Sequence, residues 1–175
     1  MLWIRGLIFT ALAPAVLGLF LPAVVEPEGR PLGGIWESGW VLIAAGTLIY
    51  ALCLLRFLLA GGTPAIFFSR HLFSRHLRFL IGEEPGALVC SGLYRFSRNP
   101  MYVGVLMVVF GQAILFASLR LAVYSCAVFI FFHLVIVFAE EPHLRTARGS
   151  SYELYCQTVP RWLGLGRGSS NPRHF

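Results

Sequence analysis

The chain contains no lysine and no aspartate. All 14 of its non-histidine basic side chains are arginine, and all 8 acids are glutamate. Codon usage produces such a bias as readily as chemistry does, so no function is read from it. Charge of either sign is scarce, at 13% of residues, against roughly 25% in an ordinary soluble domain. Also missing are strand-helix alternation, a Gly-x-Gly-x-x-Gly turn and a phosphate loop, which excludes a soluble nucleotide-binding enzyme of the Rossmann type. The 5 histidines and 4 cysteines show no metal-ligand spacing, and no metal is expected. Cys53 and Cys126 fall in apolar runs, and Cys90 and Cys156 near arginine-rich ends. Free thiols facing a reducing compartment are expected.

Apolar sequence is what the chain does have. Hydrophobic residues make up 57% of its 175 positions, and the mean hydropathy is +0.74. The net charge of +6 does not indicate nucleic acid, because the arginines flank apolar runs instead of forming one solvated patch. Four runs, at 2–25, 39–59, 101–118 and 121–139, approach the roughly 20 residues that cross a bilayer as a helix. The first lacks a signal-peptide cleavage site and is read as a span, kinked near Pro14. The expectation is an all-α polytopic membrane protein of one domain. Two N-terminal spans (1–60) precede an interfacial helix and loop (61–91), a core hairpin (92–139) and a C-terminal cap and tail (140–175).

Arginine distribution orients this arrangement. With the N-terminus inside, the outer loops carry Glu26, Glu28, Arg30, Glu37 and Arg120, and nearly all other arginines fall inside. Both termini are then cytoplasmic, and in a bacterium the membrane is the inner one. Residues 61–91 place polar positions 71, 75 and 78 on one helical face and apolar 66, 73, 77 and 80 on another. That pattern suits a helix lying in the interface. Lipid anchoring is its simplest role, and forming the wall of a substrate entrance is the alternative.

Two stretches carry polar chemistry. The first runs Gly92-Leu93-Tyr94-Arg95-Phe96-Ser97-Arg98-Asn99-Pro100-Met101-Tyr102. Asn99 and Pro100 suit the N-cap and first position of the third span, and the arginines suit its inner anchor. The second holds Glu140, Glu141, Pro142, Arg145, Gly149, Tyr152, Tyr155, Pro160 and Arg161. Adjacent carboxylates at a helix C-terminus repel each other and the helix dipole. A new helix starting at Pro142, with Arg145 and Arg148 as partners, relieves this.

Only a short turn around 118–120 joins the third and fourth spans, so they form an antiparallel hairpin. The hairpin sets Arg98 and Asn99 beside Glu140 and Glu141. One side attracts anions and the other cations, which suits a zwitterion or a ligand with separated charges. His133, inside the fourth span, is read as a buried neutral histidine bonded to another helix ahead of a proton relay. Gln112 is read as helix-helix glue.

These residues resemble the isoprenylcysteine carboxyl methyltransferase and phospholipid methyltransferase superfamily. Its members carry an Arg-His-Pro-x-Tyr stretch before a helical hairpin, and Glu-Glu, spaced tyrosines and Pro-Arg after it. The matches are Gly92, Tyr94, Arg95, Arg98, Pro100 and Tyr102, then Glu140, Glu141, Leu144, Gly149, Tyr152, Tyr155, Pro160 and Arg161. Asn99 replaces the family histidine and cannot act as a base near neutral pH. Leu93 stands where relatives commonly carry proline.

The resemblance implies S-adenosylmethionine as cofactor, held at the cytoplasmic ends of the hairpin. Arg98, Asn99 and Tyr102 are implied at its amino-acid part, Glu140 and Glu141 at its ammonium or ribose hydroxyls, and Tyr94 and Pro100 also among the cofactor-binding residues. Arg161 is implied to orient an acidic acceptor, while Tyr152 and Tyr155 close the pocket. The acceptor is expected to be lipophilic and to enter laterally, bearing an isoprenylcysteine-like carboxylate or a lipid headgroup. The lack of an evident base favours a carboxylate or thiolate. A membrane reductase and a non-catalytic lipid-binding protein are the rival readings.

Overall fold

The computed structural model describes residues 15–26, 34–60 and 88–164. The proposed interfacial helix lies almost wholly outside them, as do the start of the first span and the tail. Among the described residues the chain is all-α with no strand. A π-helical turn, Val16–Phe20, leads into α1, Leu21–Val25. A 3-10 turn, Gly34–Glu37, opens α2, Ser38–Leu59. A second 3-10 turn, Gly92–Arg95, precedes α3, Pro100–Leu115. Then follow α4, Leu119–Val135, a π-helical turn, Ile136–Glu140, α5, Glu141–Arg148, and α6, Ser150–Thr158.

Two helical stretches, Ser38–Arg56 and Leu119–Arg148, are long and apolar enough to cross a membrane, while Val16–Val25 and Pro100–Leu115 are shorter apolar helices. The fourth helix does not break at Pro142 as the sequence suggested. It continues through a π turn whose wider winding accommodates the proline. Glu141 N–H reaches back to the Ile136 carbonyl, and Pro142 has no N–H to give. The same device precedes Pro22, where Leu21 N–H bonds the Val16 carbonyl. The carbonyls of Leu17 and Gly18 thereby lose their helical donors. Tyr124 donates to the first at 2.8 Å, and the Gln112 side-chain amide donates to the second. Gln112 is therefore helix-helix glue, with an identifiable backbone vacancy to fill.

The α3–α4 hairpin turns on a Schellman motif. Ser118 N–H bonds the Ala113 carbonyl and Ala117 N–H that of Ile114. This puts Ala117 at φ 46°, where glycine is the usual residue. Ser118 then caps α4 by accepting from Leu121 N–H, so one turn ends one helix and starts the next.

Glycines set the α2–α3 contact. Gly39 lies against Gly111 and Gly46 against Gly104. A methyl group on Gly39 would sit 2.4 Å from the Gly111 carbonyl oxygen, and one on Gly46 2.5 Å from that of Gly104. Backbones touch there with no room for a side chain, as in close-packed membrane helices. The main core joins Val105, Leu106 and Val109 of α3 to Val128 and Phe132 of α4. Outward faces stay apolar: Val41, Leu59, Val123, Ile130 and Phe138 are all more than half exposed. Water is a poor solvent for such a surface and lipid a good one.

Candidate functional site

Antiparallel packing sorts charge between the two ends of the bundle. Glu26 lies at the α3–α4 turn, where its carboxylate accepts from Ser118 at 2.5 Å and meets Arg120 at 3.8 Å. The opposite end gathers Arg98, Arg145 and Arg161 with Glu140, Glu141 and Glu153. Arg56, Arg95 and Arg148 lie at this end too, so among the described residues six arginines stand with three glutamates and the end is strongly charged with a cationic excess.

Glu141 is the hub. Its side chain is 4% exposed and accepts from three guanidinium groups. Arg161 forks onto it, Nε to Oε1 at 2.6 Å and Nη2 to Oε2 at 3.1 Å, the strongest arrangement open to such a pair. Arg98 Nη1 meets Oε1 at 3.2 Å. Arg145, one turn along the same helix, meets Oε2 at 3.3 Å and also holds Glu153 at 3.0 Å. The hydrogen bond to Glu141 pushes Arg161 above its usual value. Glu141 thus joins the end of the π turn, the loop before α3 and the segment after α6.

Glu140 has different partners. It is buried and accepts from the Tyr102 hydroxyl, and the Tyr102 ring packs on Phe132 at 4.6 Å. No arginine among the described residues pairs with Glu140. Two neighbouring carboxylates therefore occupy separate environments, one locked by cations and one held by a neutral phenol.

Arg98 fixes the anion-attracting side. Its Nη1 also reaches Cys156 Sγ at 2.8 Å, and its backbone N–H bonds the Pro160 carbonyl at 2.9 Å. Its Nε is buried with no hydrogen-bond partner among the described residues. A buried donor left this way costs about 1–3 kcal/mol, so an acceptor supplied from outside the chain would be favoured there.

Asn99 occupies the N-cap position, yet its side chain makes no cap bond. Its amide nitrogen donates to the Arg161 carbonyl at 3.0 Å, and its backbone N–H bonds Ser97 Oγ at 3.0 Å. Ser97 also reaches the Arg161 carbonyl, at 3.4 Å. Pro100 starts α3 as the sequence suggested and is buried. Tyr94, Tyr152 and Tyr155 are buried nearby. Tyr155 donates to the Tyr94 carbonyl at 2.7 Å, and burial raises the pKa of all three phenols. The second apolar cluster, Tyr152, Tyr155 and Val159 with Leu88, Cys90, Leu144 and Cys156, seats the cap on the bundle. Burial pushes the Cys90 thiol up to about 11. Gly149, at φ 54°, makes the turn from α5 to α6, a conformation that favours glycine.

The fold therefore brings Tyr94, Arg98, Asn99, Pro100, Tyr102, Glu140, Glu141, Tyr152, Tyr155 and Arg161 to one end of the bundle. Three features were not read from the sequence. Arg161 is committed to Glu141. Ser97 and Cys156 join the network. Trp162 returns to α4, where its indole N–H donates to His133 Nδ1 at 3.3 Å. The adjacency of Trp162 to Arg161 was the available signal for the last of these. No group of histidine, cysteine and acidic residues among the described residues is disposed to hold a metal.

A family model described as phospholipid methyltransferase matches residues 38–150. That region includes α2, the hairpin, the π turn with Glu140, and α5 with Glu141. No curated protein and no solved structure matches the chain.

Proposed function

Since the chain belongs to the phospholipid methyltransferase family, a membership that brings S-adenosylmethionine-dependent methyl transfer in general, we propose that it methylates a lipid headgroup at the cytoplasmic membrane face. One observation carries the reading. Among the described residues, Arg98 is a buried guanidinium with an unpartnered N–H that is held by Glu141, and the adjoining Glu140 is a buried carboxylate that no arginine neutralises. A ligand with a separated carboxylate and ammonium complements both.

The residues present fit the cofactor. Arg98 would take the donor's carboxylate through its free Nε–H, with Tyr94, Asn99, Pro100 and Tyr102 around it. Glu140 would take the ammonium or the ribose hydroxyls, held in place by Tyr102. Glu141 acts at one remove, because its oxygens already hold Arg98, Arg145 and Arg161. It is a positioning residue. Arg161 spends its fork on Glu141 and orients the acceptor only through what that fork leaves free. Tyr152 and Tyr155 back the site with apolar surface and exclude water. When bound, S-adenosylmethionine supplies a methyl group on a sulfonium, which passes to a nucleophile as the carbon–sulfur bond breaks to leave a neutral thioether. The chain's own contribution is alignment. Asn99 takes no proton, so an amine acceptor must lose its proton to water or a neighbouring group.

The arginine-rich end supports cytoplasmic placement, and the exposed apolar faces of α2 and α4 support a membrane setting. Calorimetric titration of purified protein in nanodiscs with S-adenosylmethionine and S-adenosylhomocysteine tests the reading. Saturable binding, weakened at least tenfold in Glu140→Gln, is expected. Well-folded wild-type protein that binds neither ligand would overturn it and bring forward a membrane reductase or a non-catalytic lipid-binding protein.

A further inference from the structure

We infer that His133 is a subsite for a glycerophospholipid acceptor, its Nε2–H donating to an acyl-ester carbonyl while the headgroup lies at the level of Glu140. The inference rests on the proposed methyl transfer and names the acceptor class.

Trp162 fixes the chemistry of the ring. The indole N–H is a donor only, so His133 Nδ1, 3.3 Å away, must be the acceptor. The neutral imidazole then carries its proton on Nε2. Aromatic contacts hold the ring: His133 stacks on Trp162 at 6.3 Å, Phe129 lies 6.1 Å from His133, and Phe129 lies 5.0 Å from Trp162. Nε2 has no acceptor among the described residues and is not sealed from its surroundings. Its flanks are apolar and face outward: Ile130 is 56% exposed, Phe131 46% and Leu134 48%. A donor without an acceptor at this depth in lipid is unfavourable. An acceptor from outside the described residues is favoured there, and an ester carbonyl is the group that lipids carry below their headgroups.

Spacing selects the glycerolipid. Glu140 lies seven residues beyond His133 in the same continuous helix, a rise of about 10 Å. Nine bonds separate a phospholipid headgroup nitrogen from its nearer-chain ester carbonyl. Extended chain advances about 1.1–1.2 Å per bond, so these nine also span about 10 Å. A prenyl chain has no oxygen at that depth. Trp162 further ties this wall to the charged end, because its neighbour Arg161 forks onto Glu141.

The test compares two probes that differ only at the carbonyl, diacyl and dialkyl phosphatidylethanolamine. Binding to wild type, His133→Phe and His133→Gln is measured in detergent micelles by native mass spectrometry. Methyl transfer from labelled S-adenosylmethionine is followed in the same samples. Wild type is expected to bind the diacyl lipid about three- to tenfold more tightly, the range of one net hydrogen bond. His133→Phe should bind both lipids at the weaker level, and His133→Gln, which keeps an N–H donor, should recover part of the preference. Equal binding of both lipids by wild type, no binding of either, or a preference that survives in His133→Phe overturns the inference. An ester preference without methylation of either lipid leaves the subsite standing and counts against the methyl-transfer reading instead.

Discussion

Replacing Glu141 with glutamine isolates the energetic role of the hub. The side chain is 4% exposed and keeps its shape in the variant, so packing is held constant while one negative charge is removed. The three partners lose unequally. Arg145 is 45% exposed and retains Glu153, so its loss is worth at most about 1 kcal/mol. Arg161, 32% exposed, loses a two-point fork. Arg98 is 11% exposed, and its guanidinium is left buried with Cys156 as the remaining partner. Stranding one member of a buried pair costs about 3–5 kcal/mol. At roughly 2–4 °C per kcal/mol for a chain of this size, Tm should fall by about 10 °C. Circular dichroism at 222 nm during heating in detergent reads this directly. Adding Arg98→Met removes the stranded cation, so the double variant should recover several degrees relative to Glu141→Gln alone. A Tm within about 2 °C of wild type for the single variant, or strictly additive losses in the double, would refute the hub. Glu140→Gln serves as the contrast: glutamine still accepts from Tyr102, so Tm should hold while donor binding drops.

Ala117→Gly should raise Tm by the equivalent of about 1 kcal/mol, because it relieves an L-residue from a left-handed conformation, and the same melts measure it. Gly46→Ala should lower stability by about 1–3 kcal/mol, since the new methyl group meets the Gly104 carbonyl at 2.5 Å. Denaturant titration in mixed micelles checks this. Cys90 should resist iodoacetamide through pH 9 and react only as pH approaches about 11. The direction follows from burial: the neutral thiol is the form favoured in the fold, so this contribution to stability is present below the ordinary thiol pKa of 9.0 and is lost as pH climbs through 11. Mass spectrometry of timed quenches, with an SDS-unfolded control that labels by pH 9, reads it.

The hairpin and the meeting of Arg98 with Glu141 were legible because a two-residue link between apolar runs leaves no other geometry. The chain departs from its linear reading wherever backbone geometry decides. Pro142 looked like a boundary, since nothing in a residue string announces that a π turn will carry the helix past it. The seven-residue spacing of Gly39 and Gly46, repeated at Gly104 and Gly111, was present to be read but has no polar signature. Arg161 looked available for an acceptor because its pairing with Glu141 spans a turn, two helices and an extended segment, a closure that no local pattern encodes. Asn99 looked like a cap, and its amide serves the Arg161 carbonyl instead.

Residues 160–162 tie the assembly together: the Pro160 carbonyl takes Arg98, the Arg161 carbonyl takes Asn99 and Ser97, the Arg161 side chain takes Glu141, and Trp162 takes His133. Synthesis delivers these residues after the described apolar helices have been made. Until they emerge, Glu141 and Arg98 wait for their last partner. The contacts that close the charged end are thus the last to become available, and a chain ending at residue 159 would keep its helices while Arg98, Asn99, Glu141 and His133 lacked these partners.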